Sequence, residues 1–105
     1  MADLAEDSSL RGLQRYVKSC EEERGFCAQS ALEKCLLLGE ETGELFRAVR
    51  RASGLRTDPD SRTADVGEEL ADILNYVLAI ANRFDVDLDA AFRRKELRNR
   101  RRVWR

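Results

Sequence analysis

The stretch Thr63-Ala-Asp-Val-Gly-Glu-Glu-Leu-Ala-Asp-Ile-Leu-Asn-Tyr-Val-Leu-Ala-Ile-Ala-Asn-Arg-Phe84 decides the fold class. Val66, Leu70, Ile73, Leu74, Val77, Leu78 and Ala81 recur at spacings of three and four. That is the apolar stripe of an α-helix; a half-buried strand would alternate at every second residue. Thr63 suits the N-cap, and Asp65 falls in the first turn, where the helix dipole favours a carboxylate. Asp85-Val86-Asp87 then breaks the helix, and Asp87 can cap a further one in which Ala91, Lys95 and Arg98 share a face.

Working outward, the segment before Thr63 is the one clear loop, Gly54 to about Arg62, with Asp58-Pro59-Asp60-Ser61 as turn chemistry. Upstream lies a second long helical segment. It starts near Gln29 or Ser30, runs to about Ser53-Gly54, and takes its apolar positions from Leu32, Leu36, Leu45, Phe46, Val49 and Ala52. Gly39 and Gly43 stand one turn apart on one face of it, an invitation to close approach by another backbone. A first helix starts at Ser8 or Ser9, carries Leu10, Leu13, Val17 and Cys20 at helical spacing, and ends at Arg24-Gly25, since glycine suits the position after a helix. Pro59 is the only proline and no repeat is visible. The expectation is one all-α domain over 1–105, an antiparallel helical hairpin with flanking helices of the four-helix-bundle type. Residues 1–8 are expected to be flexible, and 93–105 form a basic C-terminal segment. A chain of 105 residues makes a thin core, so assembly through oligomerisation, as a homodimer or homotetramer, is part of that expectation.

Composition narrows the chemistry. Charged residues make up 37% of the chain and hydrophobic ones 43%, yet the net charge is −1, which fits a folded, heavily salted helical protein. There is no histidine, which removes Ser-His and Cys-His nucleophilic machinery and disfavours a zinc site. The three cysteines, Cys20, Cys27 and Cys35, are odd in number and lack CxxC spacing; they read as free thiols in a reducing compartment, hence a cytoplasmic protein. The N-terminal residues lack the basic and apolar regions of a signal peptide, and no segment is long and apolar enough for a membrane span.

The two long helices carry a carboxylate pattern. Glu40, Glu41 and Glu44 form Glu-Glu-x-x-Glu on the second helix; Glu69 and Asp72 form Glu-x-x-Asp on the third. Spacings of three and four place such groups on one side of a helix. A short loop makes the pair antiparallel, with Glu44 about ten residues before it and Glu69 about six residues after Thr63, within one turn of the same height, so Glu41, Glu44, Glu69 and Asp72 can converge. Facing carboxylates repel, and a hard divalent cation with oxygen ligands is the economical remedy, suited to phosphate chemistry. The plainer reading is a solvated face paired with Lys34, Arg47, Arg50 and Arg51.

Leu38-Gly-Glu-Glu-Thr-Gly-Glu-Leu45 followed by Glu68-Glu-Leu-Ala-Asp-Ile-Leu-Asn75 resembles the MazG-like all-α nucleoside triphosphate pyrophosphohydrolases, with 24 residues between Glu44 and Glu69. Lys95-x-x-x-Asn99-x-x-Arg102-x-Trp104 is similar to the family's C-terminal signature, and Arg24-Gly25-Phe26 fits its small members. The resemblance covers most of residues 10–104. It implies hydrolysis of a nucleoside triphosphate between its α and β phosphates to monophosphate and pyrophosphate, in nucleotide-pool cleaning. It further implies that Glu41, Glu44, Glu69 and Asp72 ligate Mg²⁺, with Mn²⁺ as a substitute, and that Glu40 orients or deprotonates the attacking water or shares a second metal. Asn75, Lys95, Asn99 and Arg102 are then the substrate-binding residues. With no histidine and a single tryptophan, a base pocket made of those residues cannot be copied wholesale.

The remaining groups have plainer readings beside functional ones. Tyr16, Phe26 and Tyr76 are candidates for a base pocket but read first as core. Arg56 and Arg62 can reach phosphates, and Trp104 reads as a packing anchor. Two other functions stay open: a catalytically inactive helical protein that binds nucleotide or a partner, and a nucleic-acid binder using the tail after Ala91, where eight basic residues face one acidic residue, Glu96. With the carboxylates complete, no specific nucleic acid is expected.

Overall fold

A computed structural model describes residues 4–5, 8–54 and 63–102. Among them the chain forms four α-helices, α1 (Leu10–Arg24), α2 (Ala31–Ala52), α3 (Thr63–Arg83) and α4 (Leu88–Arg101), with a 3-10 turn at Phe26–Ala28 and no strand. The fold is all-α, as the periodicity indicates. The 55–62 loop with Arg56 and Arg62, the capping side chain of Thr63, Trp104, and most of the 1–8 segment lie outside the described residues.

The helix ends follow from local chemistry. Ser9 caps α1 by accepting the Gly12 N–H at 3.1 Å. Gly25 ends it with φ 75°, a left-handed conformation that costs glycine nothing, and donates back to the carbonyls of Glu21 and Glu22. Ser30 and Glu33 make a reciprocal capping box at the start of α2: the Glu33 N–H reaches Ser30 Oγ at 3.1 Å, and the Ser30 N–H reaches Glu33 Oε1 at 3.4 Å. Past the α2 terminus, Gly54 takes φ 85°. Asp87 caps α4 through the Ala90 N–H at 3.0 Å. Ser30→Ala is expected to cost about 1 kcal/mol in urea denaturation; a loss below a few tenths would show that the box does not hold this helix start.

The longest helices, α2 and α3, pack on each other, α1 lies against α3, and α4 packs on α1. The core is small: Val17, Leu78 and Ala79, with Leu10, Leu13, Tyr16 and Leu88 against them. A buried polar clasp positions α1. The Gln14 amide donates to Asn82 Oδ1 (3.2 Å) and the Val86 carbonyl (2.8 Å), while its Oε1 accepts the Leu88 N–H at 2.8 Å. Asn82 returns a bond to the Gln14 carbonyl at 2.9 Å. This clasp seats the Asp85–Asp87 turn, and Arg11 adds an ion pair to Asp87 at 2.7 Å, which holds the Asp87 carboxyl below its ordinary pKa.

The apolar stripes are only partly covered. Leu78 and Ala81 are buried, but Leu70 and Leu74 on α3 are exposed, as are Leu32, Leu36 and Phe46 on α2, the last at 71%. A Cβ on Gly39 or Gly43 would meet nothing within 4 Å, so no part of the described chain comes close to that face. The radius of gyration, 16.5 Å, exceeds the ~13 Å of a compact chain of about 100 residues. Among the described residues no helix is long and apolar enough to cross a membrane.

Candidate metal centre

The second ion-pair system sets the register of α2 against α3. Glu21, at the C-terminal end of α1, is 8% exposed and receives the Arg83 guanidinium in a fork, at 2.9 Å to Oε1 and 2.6 Å to Oε2. Lys34, 6% exposed, approaches the same carboxylate at 3.4 Å. Arg83 also donates to the carbonyls of Ala79, Phe26 and Gln29 at 2.9, 3.1 and 2.8 Å. One guanidinium thus ties the end of α3 to the α1–α2 connection and fixes where α2 begins. Burial alone would raise the Glu21 pKa; the hydrogen bonds from Arg83 and the charges of Arg83 and Lys34 outweigh it and hold the carboxyl below its ordinary value. Lys34, a partner of the α2 glutamates in the plainer reading of the sequence, belongs to this system instead.

Two turns further along α2, carboxylates from both helices meet. Glu41, Glu69 and Asp72 each offer an oxygen, and these oxygens lie within 4.8 Å of one another. Glu41 and Glu69 are half-buried and Asp72 is exposed. Oε2 of Glu41 and Oε2 of Glu69 are buried with no hydrogen-bond partner. Glu69 is raised above its ordinary pKa, first by the neighbouring Glu41 carboxyl with which it would share a proton, then by desolvation, then by the charges of Glu41, Asp72 and Glu44. Buried polar oxygens left orphaned and mutually repelling are costly unless something answers them. Anionic, oxygen-only and adjacent, this donor set fits a hard divalent cation. Saturating Mg²⁺ added to metal-stripped protein at pH 7 is expected to raise Tm by several degrees, because a ligand that binds only the folded state stabilises it; an unchanged melt would remove the metal reading.

The other residues singled out in the sequence fall in different places. Glu44 is half exposed and pairs with Arg47 at 3.7 Å, at the edge of the cluster. Glu40 is exposed beside Glu41. Tyr76 is raised by burial and then by the charges of Glu41, Asp72 and Glu40, so its phenol stays protonated at neutral pH. Asn75 is exposed and helps line a cavity of ≈ 110 Å³ shared with Glu21, Phe26, Lys34 and Tyr76. Phe26, read first as core, is 44% exposed; with Tyr76 it flanks the Lys34 ammonium, which lies 5.3 Å from the Phe26 ring centroid and 5.5 Å from that of Tyr76. Lys95 and Arg102 are exposed and Asn99 is half-buried, on or next to a helix whose extended packing is with α1. The packing of α4 therefore does not by itself carry these residues to the carboxylates. A hollow of ≈ 590 Å³ lies along α4 between Asp89 and Arg100, and none of Glu41, Glu44, Glu69 and Asp72 lines it. The cysteines are free thiols, Cys20 buried and Cys27 and Cys35 exposed.

Glu21, Lys34 and Arg83 were not distinguishable in the sequence from ordinary solvated charges, because nothing within a few residues of each reveals its partner. Residues 29–102 match the family model of the MazG nucleotide pyrophosphohydrolase domain. No curated protein matches the chain.

Proposed function

The chain belongs to the MazG nucleotide pyrophosphohydrolase family, and from that premise we propose that it hydrolyses nucleoside triphosphates between the α and β phosphates in a Mg²⁺-dependent reaction. The observation that carries this reading is the meeting of Glu41, Glu69 and Asp72 from two antiparallel helices, with two of their oxygens unpartnered. These three, with Glu44 at the edge, would hold the cation. Mg²⁺, when bound, supplies neutralisation of the phosphate oxygens and a more acidic water, and Mn²⁺ offers similar chemistry. Glu40, exposed beside the ligands, takes the proton of the water that attacks the α-phosphorus. The α–β phosphoanhydride breaks, and pyrophosphate leaves with the bridging oxygen. Asn75 meets the substrate next to the carboxylates, while Lys95, Asn99 and Arg102 supply cationic and amide contacts to the phosphates.

The open apolar face supports self-association as part of the same proposal. Leu32, Leu36 and Phe46 on α2, with Leu70 on α3, present an uncovered apolar surface of the kind that marks an interface. A second copy would cover it as a homodimer or homotetramer. Sedimentation of wild type is expected to give a dimer or larger, and Phe46→Glu to shift it toward monomer; a fully active monomeric wild type would remove the oligomer. The free thiols suit a reducing compartment such as the cytoplasm, and the proposed role is removal of non-standard or surplus deoxynucleotides.

The deciding test is pyrophosphate release over a panel of canonical and modified nucleoside triphosphates, with Mg²⁺ and with EDTA. Metal-dependent formation of monophosphate and pyrophosphate in equal amounts is expected. No turnover by folded, metal-loaded protein would leave a helical nucleotide- or partner-binding protein.

A further inference from the structure

We propose that the outward part of α4 docks in the major groove of duplex DNA through its arginines, without sequence preference. The surface is separate from the carboxylates of α2 and α3, and its binding does not depend on the hydrolase reading.

Exposure comes first. Helix α4 is 14 residues long and packs on α1. Leu88, Asp89, Ala90 and Ala91 are half-buried there, but from Phe92 to Arg98 every residue is exposed, over about two turns. A helix shorter than about 12–15 residues is marginal in water unless something packs against it. Phe92 and Leu97, 66% and 53% exposed, receive little cover from the described chain. The outward part of α4 therefore stands as a helix short of a partner.

Charge gives that partner's chemistry. Residues 92–102 hold seven basic side chains against one acidic, Glu96. At about 100° per residue, Arg94, Arg98 and Arg101 fall on one face, Arg93 and Arg100 on the next, and Lys95 and Arg102 on a third. Arg94, Leu97, Arg98 and Arg101 line a hollow of ≈ 420 Å³ with no carboxylate in its wall. Arg93 answers Asp89 at 3.0 Å, whereas no carboxylate of the described residues pairs with Arg94, Arg98 or Arg101. Guanidinium forks match phosphate oxygens, and phosphate contacts position a protein without reading sequence.

The spread of charge round the helix selects the occupant. The major groove of B-form DNA, about 12 Å wide, admits an α-helix and sets phosphates on both sides of it. Cations on several faces suit that setting. The acidic surface of a second copy would need them on one face only. A lipid surface needs an apolar face, and Phe92 and Leu97 stand about 140° apart round the helix. Single-stranded bases need aromatic platforms, and Phe92 is the one aromatic residue of the stretch, on the side of Glu96. The major groove of duplex RNA is deep and narrow.

Fluorescence anisotropy of a labelled mixed-sequence DNA duplex tests this with the whole chain, in wild type and in the triple variant Arg94→Gln, Arg98→Gln, Arg101→Gln. The wild type is expected to bind with Kd of about 10⁻⁶–10⁻⁴ M at physiological salt. Three phosphate contacts give log affinity against log salt a slope of about −2.7, so binding is about 40-fold weaker at 200 than at 50 mM salt. The triple variant should lose that part of the slope and keep its helix content and its rate of pyrophosphate release. No binding by wild type, or an unchanged slope in the variant, would overturn the assignment. Tighter binding to a single strand, to duplex RNA or to phosphatidylserine vesicles would overturn it too. So would loss of self-association in the variant, which would give the helix to a second copy. If the variant does not fold, the wild-type salt slope and the comparison among these polyanions decide.

Discussion

Glu41→Gln is expected to lower kcat/KM for pyrophosphate release by roughly 10²–10³-fold, the scale of losing one electrostatic anchor of a phosphoryl-transfer centre. The same variant should melt at a higher temperature than wild type when both are stripped of metal. Glutamine keeps the shape of the side chain and removes the charge that Glu41 sets against Glu69 and Asp72. Its amide can also donate to an orphaned Glu69 oxygen. Activity and metal-free stability thus move in opposite directions, which a solvated glutamate would not produce. Steady-state kinetics and paired thermal melts check both halves. Retained turnover would take Glu41 out of the site, and a lowered metal-free Tm would contradict the repulsion that defines it.

Arg83→Met should have the largest effect on folding. It leaves the Glu21 carboxylate, 10% exposed at its side chain, with Lys34 as its remaining ion-pair partner. It also removes the donors to the Phe26, Gln29 and Ala79 carbonyls. Breaking a buried pair from one side costs about 3–5 kcal/mol, a large part of the 5–15 kcal/mol typical of a folded domain. Urea denaturation at pH 7 measures it, and a loss under about 0.5 kcal/mol would mean the network is dispensable. Replacing Glu21, Lys34 and Arg83 together by methionine should cost less than Arg83→Met alone, because no uncompensated buried charge then remains.

The two acidic groups give metal-free stability opposite slopes with pH. Glu69 is raised in the folded state, so the folded protein binds its proton more readily than the unfolded chain does. Its penalty on folding is present at neutral pH and eases as pH falls through its raised value. Glu21 is lowered, so its contribution is complete above the ordinary carboxyl value of 4.5 and is lost as pH falls below it. Without metal, stability should therefore first rise and then fall on acidification.

The sequence by itself determined what is settled within a few residues of chain. Ser9, Ser30 and Asp87 cap helices that start where the motifs place them, and Gly25 and Gly54 turn the chain where its apolar periodicity stops. The spacing of Glu44 from the loop, against that of Glu69, put Glu41, Glu44, Glu69 and Asp72 at similar heights, and Glu41, Glu69 and Asp72 do meet, because antiparallel helices of known rise leave little choice of height. Glu44 was equally legible by spacing, yet a local arginine competes for it. Tertiary structure alone decided which of the many charges are buried. Arg83 finds Glu21 across 62 positions of sequence, and Gln14 finds Asn82 across 68. It also decided that the stripes of α2 and α3 are half open, and that α4 rests on α1. Periodicity reports that a face is apolar but not what covers it. A charge reports its sign but not its partner. Those answers depend on contacts between segments far apart in the chain, and packing alone supplies them.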